Sequence, residues 1–215
     1  MKKQLIIGDI HGCYDELLLL LEKANYCPKT HELYFVGDLI KKGPKSLAVL
    51  KFAYNNNVKV VLGNHELGFL QFLAEERDCI ACEELKQEMG AKVNFWKSYI
   101  KSWPLFIEHE NFILVHAGVA PGQNLSSMGP KILCTIRTWD GQGEDLNNPA
   151  HPAWFELYKK SKTIVYGHWA LRGVEVRGNS IGLDSGCCYG KQLSAVEFPS
   201  KKIIQVDALE SYVSL

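Results

Sequence analysis

Gln4-Leu5-Ile6-Ile7-Gly8-Asp9-Ile10-His11-Gly12 is the stretch on which the reading of this chain turns. An apolar run stops at a glycine, and a carboxylate and an imidazole follow it. Short apolar runs bounded by glycine read as buried strands. The same arrangement recurs four times. Leu33-Tyr34-Phe35-Val36 leads into Gly37-Asp38, and Val58-Lys59-Val60-Val61-Leu62 leads into Gly63-Asn64-His65-Glu66. Phe112-Ile113-Leu114-Val115 leads into His116-Ala117-Gly118, and Thr163-Ile164-Val165-Tyr166 into Gly167-His168. A lone histidine beside glycine is usually structural, but five such motifs in register point to one site. Ligands at the carboxyl ends of several strands converge on one edge of a sheet, where open α/β folds place their sites. The glycines are expected to let the backbone turn sharply beside those ligands.

The donors are two Asp, one Asn and three or four His, all oxygen or nitrogen. Four protein ligands already fill a single zinc site. A larger set, including a carboxylate free to bridge, fits two-metal hydrolases, whose ions sit about 3.5–4 Å apart. Mixed N/O ligation suits two divalent ions drawn from Mn, Co, Fe, Zn and Mg.

Outward from these motifs, the 215 residues suffice for one domain, 1–215, with a sizeable core. Lys+Arg and Asp+Glu balance at 24 each, so no global field recruits DNA or an anionic membrane. No stretch reaches transmembrane length. The start Met1-Lys2-Lys3 before Leu5-Ile6-Ile7 is too short to be a signal segment. Seven cysteines, with Cys187-Cys188 adjacent, do not resemble a disulfide framework, which favours a reducing cytoplasm. Cys79-Ile80-Ala81-Cys82 reads as two cysteines on a helix face.

The first half reads βαβαβ, with helices over Asp15–Ala24 and Ser46–Asn55. Residues 67–103 read as two helices, roughly 67–76 and 83–101, forming a helical insertion or cap. Residues 119–155 read as long loops over the site. Strands return at Ser180–Leu183, Gln192–Phe198 and Lys202–Asp207. His31, His109 and His151 fit no motif and are expected at the surface.

The order GDIHG, GDLIKKG, GNHE, HAG, GH resembles the phosphoprotein phosphatase branch of the calcineurin-like metallophosphoesterases, from Asp9 to about Val196. Three further features resemble the symmetrical diadenosine tetraphosphatases and ApaH-like phosphatases. They are Gly12-Cys13-Tyr14-Asp15-Glu16, Gly167-His168-Trp169-Ala170 and Leu183-Asp184-Ser185-Gly186-Cys187-Cys188-Tyr189-Gly190. The resemblance implies an α/β fold, a sandwich of two β-sheets flanked by helices with a small helical insertion. It implies that Asp9 and His11 bind a first metal, Asp38 bridges, and Asn64, His116 and His168 bind a second. Asp38 then serves catalysis by holding the two ions together. A metal-activated hydroxide would attack phosphorus, with His65 as the general acid. Arg137 would clamp phosphate with its guanidinium fork, helped by Asn64. Glu66 is given a structural role. Trp169 either stacks on a base or packs behind His168. Asp184 and Cys187-Cys188 are read as partners of the metal histidines.

One departure is informative. Protein phosphatases of this family have Asp-Arg where this chain has Lys41-Lys42. Lys42 supplies charge to phosphate but no fork. Lys41 puts positive charge beside His65, where the family carboxylate would orient the acid, and so should lower the His65 pKa. A phosphoserine expels an alkoxide and needs a well-poised acid. A phosphoanhydride expels a phosphate, whose conjugate acid has a pKa of about 6, and does not. The expectation is therefore a cytoplasmic hydrolase of a small nucleotide, cutting diadenosine tetraphosphate symmetrically to ADP. Polyphosphate, capped RNA and Ser/Thr phosphoproteins are the alternative substrates, and an idle binding module is the non-enzymatic alternative.

Overall fold

In β1 (Lys3–Ile7) the side chains of Leu5 and Ile7 join one core and Ile6 another, and all three are fully buried. Two apolar faces at period two mean a strand covered on both sides. The structure, a computed structural model, describes residues 2–75 and 77–214. After β1 come α1 (Tyr14–Lys23), β2 (His31–Phe35), α2 (Ser46–Asn55) and β3 (Lys59–Val60). Three helices follow, α3 (Asn64–Leu73), α4 (Ile80–Met89) and α5 (Val93–Lys101). The second half holds β4 (Phe106–Glu108), β5 (Phe112–Val115), α6 (Pro130–Thr135), α7 (Trp154–Leu157) and β6 (Thr163–Tyr166). It ends with β7 (Glu175–Arg177), β8 (Ser180–Gly182), β9 (Gln192–Phe198) and β10 (Lys202–Asp207).

The strands form two five-stranded sheets, ordered β10-β9-β1-β2-β3 and β4-β5-β6-β8-β7. β1, β2 and β3 are parallel, as are β5, β6 and β8, while β9 pairs antiparallel with β1 and β10, β4 with β5, and β7 with β8. The inner faces meet through Ile6, Tyr34, Val36, Leu114, Val165 and Val196. The outer face of the first sheet, with Leu5, Ile7 and Phe35, is covered by Leu17 and Leu20 of α1 and Leu50 of α2. On the second sheet Ile113, Val115 and Ile164 pack against Leu133 of α6 and Trp154 of α7. Gly118 is small because a Cβ there would strike the Trp154 indole.

The segment expected to be one helix from 83 to 101 is two. Gly90 takes φ +52, and a short 3-10 turn over Gly90–Lys92 separates α4 from α5. Cys82, Leu85 and Met89 of α4, and Trp96 and Ile100 of α5, join the same core as α2. Cys79, expected on a helix face, instead precedes α4 and is joined to Cys82 in a disulfide. The five remaining cysteines are free. Residues 119–155, expected as loops, contain α6 and α7 as short helical turns. His31 is 8% exposed rather than at the surface, because Glu197 lies 3.4 Å from its Nε2. No described helix is long and apolar enough to cross a membrane.

Candidate metal centre

The strands deliver their ligands at one end of the sandwich, but to two sheets rather than one. Asp9, Asp38 and Asn64 follow β1, β2 and β3 of the first sheet, and His116 and His168 follow β5 and β6 of the second. Because the sheets face each other, these ends meet across the interface. Asp38 Oδ2 lies 3.6 Å from His11 Nε2 and 3.5 Å from His116 Nε2. Asn64 Oδ1 lies 2.8 Å from His116 Nε2 and 2.9 Å from His168 Nδ1. The His168 backbone N–H donates to both Asp9 oxygens, at 3.2 and 3.1 Å. All six side chains expected to hold metal are thus brought together.

The backbone around them is strained. His11, Asp38 and His168 have φ of 46°, 51° and 70°, a left-handed region that costs a residue other than glycine roughly 1–3 kcal/mol and clusters at functional sites. The expected cause, a sharp turn, accounts for some of the motif glycines and not for others. Gly37 does need its φ of +93. Gly63 and Gly167, however, are small because a Cβ would collide with Asp38 Oδ1 and Asp9 Oδ1 respectively. The ligand carboxylates occupy the space that a larger residue would fill.

Glu66 ties the second and third motifs together. It is fully buried, and its carboxylate accepts from Asp38 N (2.8 Å), Leu39 N (2.8 Å), Ile40 N (3.3 Å) and Gly63 N (3.2 Å). α3 begins at Asn64, not at 67, so Asn64 and His65 sit in its first turn and the His65 N–H reaches Asp38 Oδ1 at 2.9 Å.

The donor set fits divalent cations. Asp9, Asp38 and Asp184 share one buried space. Burial, together with neighbouring carboxylates, raises the pKa of Asp9 well above the carboxylate range and that of Asp38 to about 7, and Asp184 is raised too. Burial lowers His11, His116 and His168, which keeps them as neutral imidazoles, the form that binds metal. Metal-ligating histidines usually donate their other N–H to an acceptor that fixes the ring. Here His11 Nδ1 faces Ile40 O at 3.1 Å and His116 Nδ1 faces Val36 O at 2.8 Å. Backbone carbonyls therefore hold these rings, not Asp184 or Cys187-Cys188 as the sequence suggested. Asp184 instead lies beside Asp9, and its Oδ1 accepts from Gly186 N at 3.1 Å.

The other expected residues surround this group. A cleft of about 170 Å3 is lined by five of the six expected ligands, all but the deeply buried His116, together with Lys42, His65, Arg137, Trp169 and Tyr189. His65 Nε2 is 3.9 Å from Asp38 Oδ2, and its buried Nδ1 has no hydrogen-bond partner among the described residues. Burial and then Lys42, ahead of Lys41, pull its pKa down to about 3. The expected direction holds, with Lys42 the stronger of the two lysines. Lys42 Nζ lies 3.0 Å from His11 Nε2 and over the Tyr189 ring at 5.0 Å. Lys41 is half-buried and turned toward α3, with its Nζ close to where a Cβ on Gly68 would lie. Arg137 donates to Asn147 Oδ1 at 3.1 Å, and its buried Nε has no hydrogen-bond partner among the described residues. Trp169 packs against the Arg172 guanidinium at 4.1 Å and lies tilted to Phe155 at 6.3 Å, while still lining the cleft. Asp184 and Tyr189 gained no cleft role from the sequence; only their place in the Leu183–Gly190 motif signalled them.

Two symmetrical bis(5'-nucleosyl)-tetraphosphatases, from Actinobacillus pleuropneumoniae and Vibrio parahaemolyticus, are each 28% identical to the chain. Each comparison covers 95% of this chain and 98% of the relative. A crystal structure provisionally described as a diadenosine tetraphosphatase superposes with TM-score 0.86 at 30% identity, covering 97% of this chain and 95% of that one. Residues 2–201 match the calcineurin-like phosphoesterase family, whose members use divalent metal ions. With the five motifs closing on one cluster at the end of a two-sheet sandwich, the chain belongs to the calcineurin-like metallophosphoesterases, a family of hydrolases.

Proposed function

We propose that the chain hydrolyses phosphoanhydrides at a dinuclear centre and cuts diadenosine tetraphosphate symmetrically to two ADP. His65 carries this reading. Its Nδ1 is buried without a partner among the described residues, and the charges of Lys42 and Lys41 lower its pKa, where a carboxylate would orient the ring and favour its protonated form. Such a histidine is a weak acid catalyst for an alkoxide leaving group. It suffices for a leaving phosphate, whose conjugate acid has a pKa of about 6. The relatives named as tetraphosphatases support the same substrate class.

Asp9, His11, Asp38, Asn64, His116 and His168 would hold two divalent ions, Asp38 between them. When bound, the ions activate water and neutralise phosphate charge. The chain itself supplies the rest. Arg137, with an uncommitted Nε, and Lys42 draw the phosphate chain into the cleft and keep it there. Glu66 fixes the relation of Asp38 to the Asn64-His65 turn. Cytoplasmic location and a small nucleotide substrate follow from this reading. The test is a panel assay of the metal-loaded protein. Diadenosine tetraphosphate should be turned over at least about a hundredfold more efficiently than a phosphoserine peptide, the range in which general acid catalysis matters. Preference for the peptide would replace this reading with a Ser/Thr protein phosphatase.

A further inference from the structure

The segments that carry His11 and Asp184 go on to build a second, separate set of donors. The thiols of Cys13 and Cys187 and a carboxylate oxygen of Glu16 lie within 4.8 Å of one another. All three residues are closed off from solvent, at 1%, 2% and 0% exposure in that order. Neither thiol is spent in a disulfide, and Cys13 makes no side-chain cap to α1. Glu16 is only half committed. Its Oε1 accepts from Leu209 N at 3.1 Å and from the Tyr212 hydroxyl at 2.8 Å. Its Oε2 is buried and has no hydrogen-bond partner among the described residues. A buried carboxylate oxygen without a donor is costly, and in a native fold it calls for an ion, a water or a chemical role.

Two sulfurs beside that oxygen decide among these. Thiolates select thiophilic ions of the zinc class over the harder magnesium and manganese. A tetrahedral ion with Zn–S bonds of about 2.3 Å sets two sulfurs about 3.8 Å apart, a spacing these side chains reach with small shifts. Three protein ligands suffice when a water fills the fourth position. We propose that Cys13, Cys187 and Glu16 form a buried structural site for one zinc-class cation, distinct from the N/O centre that performs hydrolysis. The ion ties the start of α1 to the segment after β8. Through Glu16 it also reaches the C-terminal residues, where Tyr212 N donates to Cys188 O at 3.0 Å. It thereby braces the segments that carry His11 and Asp184.

The test uses cadmium as the probe, because sulfur bound to cadmium gives an ultraviolet charge-transfer band that nitrogen and oxygen ligands do not. Manganese-loaded protein, kept reduced with a phosphine, is titrated with cadmium chloride. The band should grow and saturate in the wild type. It should survive Cys27→Ser, Cys134→Ser and Cys188→Ser, and vanish in Cys13→Ser/Cys187→Ser. Glu16→Gln keeps the side chain's shape and both cysteines. It should raise the half-saturating cadmium concentration at least about tenfold, since even a partner of a metal ligand is worth that much. No band in the wild type would overturn the site, whatever the variants do. So would a band that persists in the double variant, or an unchanged midpoint in Glu16→Gln. The outcome is independent of the phosphoanhydride reading, because the N/O centre contributes no sulfur.

Discussion

At the scale of single residues, the site divides into groups that hold charge and groups that move a proton. Asp38 faces His11, His65 and His116 within 3.6, 3.9 and 3.5 Å, so its replacement reaches every part of the centre. Asp38→Asn should abolish turnover and lower metal content, read by elemental analysis; two retained ions with near-normal turnover would refute the bridging role. His65 is different, because its imidazole is needed only when the leaving group needs a proton. His65→Ala should slow diadenosine tetraphosphate cleavage modestly and an alkyl phosphate ester by about 10²–10⁴-fold. Equal losses on both substrates would remove the leaving-group argument. The Lys41→Asp/Lys42→Arg variant restores a carboxylate and a fork beside His65. It should raise the kcat/KM ratio of aryl phosphates to diadenosine tetraphosphate. An unchanged ratio would move substrate choice elsewhere, to the 67–103 insertion or the surroundings of Trp169.

At the scale of elements, loops are held by carboxylates rather than by strands. Glu66 satisfies four backbone N–H groups from two motifs. Glu66→Ala leaves buried donors unpaired and should destabilise the fold by at least about 3 kcal/mol in urea titration, with Glu66→Gln near half of that. A second staple sits at Asp140, which accepts from the N–H groups of Gln142, Gly143, Glu144 and Asp145. Those backbone bonds, Asp145 first, hold its carboxyl below the usual range. A depressed pKa stabilises above the unfolded value of about 3.9, and the effect is lost as pH falls through the folded one. The 141–147 loop should therefore keep its hydrogen-exchange protection down to about pH 4 and lose it only in stronger acid. Asp140→Ala should lose it at neutral pH and raise KM, because Asn147 on this loop steadies Arg137.

At the scale of the molecule, the proposed metal ligands come from two sheets. Chelation should lower the thermal midpoint by about 10 °C, since a ligand at 1,000 Kd adds about 4 kcal/mol and each kcal/mol shifts a domain of this size by about 2–4 °C. An unchanged midpoint would mean the sheets need no ion between them. Much of this plan was legible because strands buried on both faces carry short continuous apolar runs and every ligand motif ends one. β4 and β7 escaped notice because each has three residues and lies at a sheet edge, where Glu108 and Arg177 interrupt the apolar signal. Asp184 and the buried His31 were hidden for another reason. Their partners, Asp9 and Glu197, stand far off in sequence, and only the fold supplies that proximity. The same remoteness has a meaning in time. His168 stands 159 residues after Asp9, whose oxygens its N–H meets. During synthesis the ligand group stays incomplete until β6, and His168 after it, has left the ribosome. A stalled or nicked product ending before that strand carries five of the six proposed ligands, lacks His168, and should have no hydrolytic power. The chain is thus silent toward nucleotides until most of it exists, and a fragment ending at residue 160 should bind fewer ions than the whole protein and turn over nothing.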